Sequence, residues 1–144
     1  VRYLKEATRY AEARHVKLAC DGIWPSWIVD SPEAMMSLFD AVGSPMLGVN
    51  FDPCYLVLMQ QDPVHVAALW KERMFHGHVK DHVGQYPDWK HRIPGRGQMD
   101  YARVVKGLEK VGFTGSISIE AFTSMDFEEA CEIGYRTLSH VMQR

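Results

Sequence analysis

Apolar and polar positions alternate along the chain in a way that predicts helices separated by short buried strands. Apolar residues at helical spacing, with charged residues between them, predict helices over residues 2–14, 32–42, 63–73, 101–111 and 127–142. Short apolar runs that end at polar residues predict four strands, over 16–20, 46–51, 74–79 and 116–119. The polar segment 80–99 is predicted to be one long loop.

This alternation is typical of parallel strands covered by helices. Two architectures provide it: a doubly wound open sheet, and part of a (β/α)8 TIM barrel. The polar residues that end the first and last strands are three units apart, about 33 residues per unit, close to the roughly 31 of an eight-unit barrel. No glycine-rich nucleotide loop follows the first strand. We therefore expect a half barrel of about four βα units, with residues 1–144 forming a single domain.

Composition narrows the function classes. The chain has 144 residues, a net charge of −2 and three cysteines that are widely separated in the sequence. The charge disfavours a nucleic-acid binder that relies on phosphate contacts, and the cysteines do not form a disulfide scaffold or a thiolate zinc site. No secretory signal or membrane-length apolar run is visible, so a cytoplasmic location is expected.

Each predicted strand ends at a residue that can bind a metal ion. These residues are Asp21, Asp52, His78 and Glu120. In a barrel the carboxyl ends of the strands meet at one mouth, where active sites lie. Three carboxylates and one imidazole suit Mn²⁺, Mg²⁺, Co²⁺ or Zn²⁺. A role in a turn or a helix cap remains the alternative for any single one of them.

Four segments resemble one family of TIM barrels. They are GVNFDPCY (48–55), HGHVKD (76–81), IPGRGQMDY (93–101) and GFTGSISIE (112–120). In this order they resemble the sugar-phosphate isomerase/epimerase superfamily, the xylose isomerase-like barrels. The resemblance covers nearly the whole chain but only the C-terminal half of the family's fold, strands five to eight.

The resemblance implies a metal site and a reaction. It places metal ligands at Asp52, His78 and Glu120, and a fourth at Asp21, where the family has a glutamate (or at Cys20 if the register shifts by one). It implies a sugar or sugar phosphate isomerase or epimerase that transfers a proton through a metal-stabilised enediolate, with Glu120 and Asp21 as the acid/base pair.

Several further residues are candidates for substrate binding. Tyr55 stands where the family usually has a histidine, and Lys80 follows the metal-binding histidine closely. The other candidates are Arg92, Arg96 and Trp24. For the two arginines a solvated loop with surface ion pairs is the alternative. On the third strand, His76 is expected to face away from His78 and to have a packed structural role.

Two other function classes remain open at this point. One is an inosose-type dehydratase of the same superfamily, and the other is a non-catalytic half barrel that serves assembly or ligand binding. A half barrel leaves its first and last strands each with one unpaired edge. We therefore expect the chain to form a homo-oligomer or to pair with an N-terminal half barrel.

Overall fold

The computed structural model describes residues 1–22, 29–120 and 125–143. Helices α1 to α6 span Arg2–Glu12, Pro32–Val42, Pro53–Leu58, Pro63–Trp70, Tyr101–Lys110 and Phe127–Met142. Strands β1 to β6 span Leu18–Asp21, Leu47–Phe51, Met74–Val79, Asp81–Gln85, Asp88–Arg92 and Ser116–Ile119. A short 3-10 helix, Lys71–Arg73, joins α4 to β3.

Four of the strands form one parallel sheet, in the order β1-β2-β3-β6. Helices follow the strands in sequence, as the apolar pattern predicts. The carboxyl ends of the four strands lie at one edge of the sheet, because all four run in the same direction. The four predicted metal ligands, Asp21, Asp52, His78 and Glu120, lie at or beside these strand ends.

Local chemistry fixes where the helices begin and end. Ser31 caps α2, because its hydroxyl accepts a hydrogen bond from the Ala34 amide at 3.2 Å, and Pro32 occupies the first helical position. Gly43 ends the same helix in the left-handed conformation, with φ of 75°. At α3 the capping residue is Asp52, which is also a candidate metal ligand.

The apolar core lies between the sheet and the helices. Its largest fully buried side chains include Trp70, Phe39 and Phe51. The rings of Phe51 and Trp70 meet edge to face with centroids 6.2 Å apart, and the indole N–H of Trp70 donates to the Pro32 carbonyl at 3.2 Å. Full burial of one such side chain contributes about 1.5–3 kcal/mol to stability. This core holds β2 and β3 in place beneath the site.

The prediction of a single loop over 80–99 is wrong. Strands β4 and β5 form an antiparallel hairpin there, with Asp81 opposite Arg92 and Gln85 opposite Asp88. The two strands contain few apolar residues, DHVGQ and DWKHR, so no apolar run marks them, and among the described residues they pair only with each other. The sequence also failed to indicate α3, a helix of six residues that begins directly after β2. None of the helices in the described ranges is both long and apolar enough to cross a membrane.

Candidate metal centre

Three of the four predicted ligands converge at the carboxyl edge of the sheet. Asp52, His78 and Glu120 each offer one ligand atom, and these atoms all lie within 4.8 Å of one another. Asp52 follows β2, His78 lies in β3 and Glu120 follows β6, three strands that are neighbours in the sheet. The parallel sheet therefore brings together residues that are far apart in the sequence.

The two carboxylate oxygens of Asp52 have different partners. Oδ1 accepts hydrogen bonds from the amides of Cys54 and Tyr55, at 3.0 and 3.2 Å, and thereby caps α3. Oδ2 lies 2.7 Å from the ammonium nitrogen of Lys80. Burial raises the pKa of Asp52, and the positive charge of Lys80 offsets part of that effect. The cap fixes the carboxylate so that Oδ2 is the oxygen left to face the site.

Lys80 lies inside the site and not in a solvated loop. Its side chain is 1% exposed, and its Nζ contacts Oδ2 of Asp52 and Oε2 of Glu120. The same nitrogen lies 3.9 Å from the centroid of the Tyr55 ring, in cation–π contact. Burial lowers the pKa of Lys80, but the two carboxylates more than offset it and raise the pKa above its usual value. Lys80 is therefore a buried, charged partner of two predicted ligands.

His78 is linked to Asp21 through an intervening amide. The Nδ1 atom of His78 lies 3.5 Å from Oε2 of Glu120 and 3.0 Å from Nδ2 of Asn50. Nδ2 of Asn50 also donates to Oδ1 of Asp21 at 3.0 Å. Asp21 itself is exposed at the end of β1 and does not belong to the group of three. The sequence did not single out Asn50, because its partners Asp21 and His78 come from the two flanking strands.

The expected orientation of His76 is wrong. Residues two apart on a strand lie on the same face, because side chains alternate with a period of two. The rings of His76 and His78 accordingly meet edge to face with centroids 5.5 Å apart. His76 also forms a hydrogen bond with the hydroxyl of Ser118 at 2.9 Å. His76 therefore lines the same face as the site, although it is not one of the three converging ligands.

Aromatic rings from α3 and β5 form a wall beside the site. The rings of Tyr55, Trp89 and His91 contact one another edge to face, with centroids 4.2 to 6.2 Å apart. Burial and the nearby Lys80 charge lower the pKa of His91. The sequence places Trp89 with Trp24 among aromatic residues at the barrel mouth, and it leaves the role of His91 open because the hairpin was not predicted. Trp24 itself lies outside the described residues.

Asp81 organises the segment that carries the predicted arginines. Its buried carboxylate accepts hydrogen bonds from four main-chain amides, those of His82, Gly95, Gly97 and Met99, at 2.9 to 3.0 Å. Arg96 lies in the exposed turn between these amides. Arg92 is half-buried, and its guanidinium donates to the His91 carbonyl at 2.8 Å. Substrate binding by the two arginines stays a prediction.

The three side chains suit a divalent cation. Two carboxylates and one imidazole are ligands of Mn²⁺, Co²⁺ and Zn²⁺, and the carboxylates also suit Mg²⁺. Their spacing fits one shared ion, because metal–ligand bonds of about 2.0–2.2 Å place ligand atoms of the same ion no more than about 4.4 Å apart. Atoms within 4.8 Å of one another need only small side-chain movements to reach that geometry.

Comparisons with known proteins place this site in a family context. A family model described as xylose isomerase-like TIM barrel matches residues 1–137. The chain is 39% identical over 80 residues to the uncharacterized protein YfiH of Bacillus subtilis. This alignment covers 55% of this chain and 25% of YfiH. It is 28% identical over 86 residues to an inosose dehydratase of Lacticaseibacillus casei. That alignment covers 49% of this chain and 29% of the dehydratase. These matches thus span less than a third of the curated relatives.

A solved structure agrees with the family match. A xylose isomerase domain protein from Planctomyces limnophilus aligns with a TM-score of 0.81 and 16% identity, over 99% of this chain and 50% of that chain. At this identity the similarity shows the fold alone, and it confirms the predicted half of a TIM-type barrel. Together with the family match over residues 1–137, this shows that the chain belongs to the xylose isomerase-like TIM barrel family.

Proposed function

We propose that this chain supplies the metal-binding part of the active site of a divalent-metal-dependent isomerase or epimerase that acts on a sugar or sugar phosphate. The observation that carries the proposal is the convergence of Asp52, His78 and Glu120 within 4.8 Å at the carboxyl edge of a parallel sheet. That edge is where TIM-barrel enzymes bind their substrates. The family match supports the proposal, since it names the xylose isomerase-like barrels.

The side chains around the three ligands suit proton transfer next to a carbonyl group. A bound divalent ion would polarise the carbonyl and an adjacent hydroxyl of the sugar. Glu120 is 30% exposed, so its carboxylate can reach a substrate in the mouth and take a proton from carbon. Asp21 is the proposed opposing acid/base, which epimerisation requires. Its carboxylate lies behind Asn50, so a proton can reach it only if the substrate extends toward β1.

The aromatic side chains beside the metal centre form a surface on which a sugar can bind. Tyr55, Trp89 and His91 present ring faces and edges beside Lys80, an arrangement that stacks on the apolar face of a sugar and excludes water. The ammonium of Lys80 and the phenol of Tyr55 are hydrogen-bond donors for substrate hydroxyls or a phosphate. We propose Tyr55, Lys80, Arg92 and Arg96 as the substrate-binding residues of this half of the barrel.

A dehydratase acting on a ring ketone is the second candidate. The 28% identity to an inosose dehydratase favours it. Both reactions begin when a base removes a proton from the carbon beside a carbonyl. They differ in the next step, because an isomerase or epimerase returns a proton whereas a dehydratase expels a hydroxyl group as water.

Exchange of carbon-bound hydrogen with solvent tests the proposal. The chain is incubated with Mn²⁺ and either a panel of ketoses or a ring ketone in D₂O, and products are followed by NMR. Deuterium beside the carbonyl with a new isomeric sugar supports the isomerase, and loss of water from the ring ketone supports the dehydratase. Glu120→Gln is the control and should abolish exchange. No exchange with any substrate, in a complete assembly that binds Mn²⁺, would favour the non-catalytic half barrel.

We also propose that the active assembly contains a second half barrel. Within the described part of the chain, β1 and β6 each pair with one neighbouring strand and form the two edges of the sheet. A second copy of the chain or an N-terminal half barrel would pair with both edges. Light scattering tests this, because a stable monomer with protected amides in β1 and β6 would contradict it. The exchange assay should then be repeated with the complete assembly.

A further inference from the structure

We propose that Lys80 is a built-in cation that competes with the divalent metal for Asp52, so that the metal binds by displacing the lysine ammonium. This inference rests on the proposed function, since it concerns the same three ligands. It adds a role that the sequence did not indicate: Lys80 sets how tightly the metal is held.

The two oxygens of Asp52 decide the competition. Oδ1 is held by the amides of Cys54 and Tyr55 and cannot turn away without uncapping α3. Oδ2 is therefore the oxygen that can ligate a metal, and it lies 2.7 Å from Nζ of Lys80. A metal ion bonds to a carboxylate oxygen at about 2.0–2.2 Å. An ion on that oxygen would lie no more than about 4.9 Å from the ammonium nitrogen.

The charges in the site lead to the same conclusion. Asp52 and Glu120 together carry two negative charges, which balance one divalent cation. Lys80 contacts both carboxylates, so an added ion leaves an excess positive charge in a site where Asp52 and Lys80 are almost fully buried. Buried like charges repel strongly, because little water is present to screen them. Moving the ammonium away from the carboxylates relieves this repulsion.

The structure offers a place for the displaced ammonium. Nζ already lies 3.9 Å from the centroid of the Tyr55 ring, which also contacts Trp89 and His91. A flexible four-carbon side chain lets Nζ move along this aromatic surface toward the mouth while it keeps a cation–π contact. In that position the ammonium would face the substrate instead of the metal ligands.

This arrangement predicts opposite effects on stability and on metal binding. Without Lys80, Asp52 and Glu120 lose their counter-charge, so the chain is less stable in a chelator. The same change removes the competitor, so the metal binds more tightly. A lysine that only supported the structure would give no gain in metal affinity when removed.

The experiment compares the unmodified chain with Lys80→Met and with Lys106→Met, an exposed control on α5. Mn²⁺ binding is measured by titration calorimetry, and melting is followed with EDTA and with Mn²⁺. Lys80→Met should bind Mn²⁺ at least about tenfold more tightly, melt at a lower temperature in EDTA and recover with Mn²⁺. Lys106→Met should match the unmodified chain. Unchanged or weaker binding by Lys80→Met overturns the inference.

The results separate this inference from the proposed function. If the unmodified chain and Lys80→Met bind Mn²⁺ equally well, Lys80 does not compete, whereas the metal site itself stands. If neither binds, both proposals are wrong. If Lys80→Met does not fold, the accessibility of the Lys80 amine is measured instead, by acetylation followed by mass spectrometry. In the unmodified chain Mn²⁺ should increase labelling of Lys80 relative to Lys106, and unchanged or reduced labelling overturns the inference.

Discussion

The side-chain amide of Asn50 lies 3.0 Å from Nδ1 of His78 and donates a second hydrogen bond to the carboxylate of Asp21, also at 3.0 Å. Asn50 is buried, so its hydrogen bonds hold the imidazole ring in one orientation. A neutral imidazole has a single acceptor nitrogen, so the Asn50 amide occupies the lone pair of the same Nδ1 atom that faces Glu120 at 3.5 Å. The Asp21 carboxylate holds this amide in place.

A double-mutant cycle tests this relationship. We expect Asn50→Ala to strengthen Mn²⁺ binding about two- to tenfold, the equivalent of one hydrogen bond, because the Nδ1 lone pair of His78 is then free. Asp21→Ala should strengthen it by less, because Asn50 loses only its anchor, and the two changes together by no more than Asn50→Ala alone. Titration calorimetry gives the three affinities. A tenfold loss of affinity on adding Asp21→Ala to Asn50→Ala would instead make Asp21 a direct ligand, as the sequence predicts.

Removing one histidine at a time separates the two imidazoles of β3. We expect His78→Ala to reduce Mn²⁺ binding below detection, because the imidazole is one of three converging ligands. His76→Ala should leave most of the affinity, since His76 bonds to Ser118 and lies outside the group. Dialysis against Mn²⁺ followed by elemental analysis measures the retained metal. Equal losses in the two variants would show that His76 also ligates.

Asp81 is expected to be important for stability. In Asp81→Asn an NH₂ group would face main-chain amides that now donate to a carboxylate oxygen. We expect the free energy of unfolding to fall by about 2–4 kcal/mol, because buried amide donors would be left without an acceptor. Urea denaturation measures it. Asp88→Asn, on the exposed part of β5, is the matched control and should change stability by less than about 0.5 kcal/mol. Similar losses in both variants would contradict the proposed role of the Asp81 carboxylate.

The lowered pKa of His91 predicts a pH-dependent stability. Burial is the main cause, the Lys80 and His82 charges act in the same direction, and Glu120 opposes them. An unfolded histidine titrates near about 6.5, so below that pH the unfolded chain binds a proton that the folded chain resists. This contribution is complete above about pH 6.5 and is lost as the pH falls toward the folded pKa.

The measurement is urea unfolding of the unmodified chain and of His91→Gln between pH 7.5 and 5.5. The unmodified chain should lose more stability with falling pH than His91→Gln does. The remaining histidines are common to both proteins, so their titration cancels in the comparison. Identical pH slopes would mean that His91 protonates equally easily in the folded and unfolded chains.

The parallel sheet could be predicted from the sequence, and so could the polar residues Asp52, His78 and Glu120 at or beside the ends of three of its strands. Buried parallel strands carry mostly apolar residues, and β2, which is buried along its whole length, ends directly before Asp52. Helix α2 begins at Ser31-Pro32 and ends at Gly43 as expected, because capping depends on neighbouring residues. Asp52 and Glu120 converge because a parallel sheet places its strand ends at one edge.

The features that the sequence did not reveal depend on contacts between distant segments. The hairpin of β4 and β5 buries few apolar side chains, so no periodic pattern marks it. Lys80 was expected to meet substrate from a loop, and its burial follows from two carboxylates that come from other strands. The role of Asn50 likewise depends on β1 and β3 flanking β2 in the sheet.

Anomalous scattering from crystals grown with Mn²⁺ tests most directly whether Asp52, His78 and Glu120 hold one divalent cation. We predict one strong peak within about 2.0–2.3 Å of an oxygen of Asp52, an oxygen of Glu120 and a ring nitrogen of His78. Crystals at saturating Mn²⁺ that show no peak between these three side chains, or a peak bound elsewhere, would contradict the metal centre.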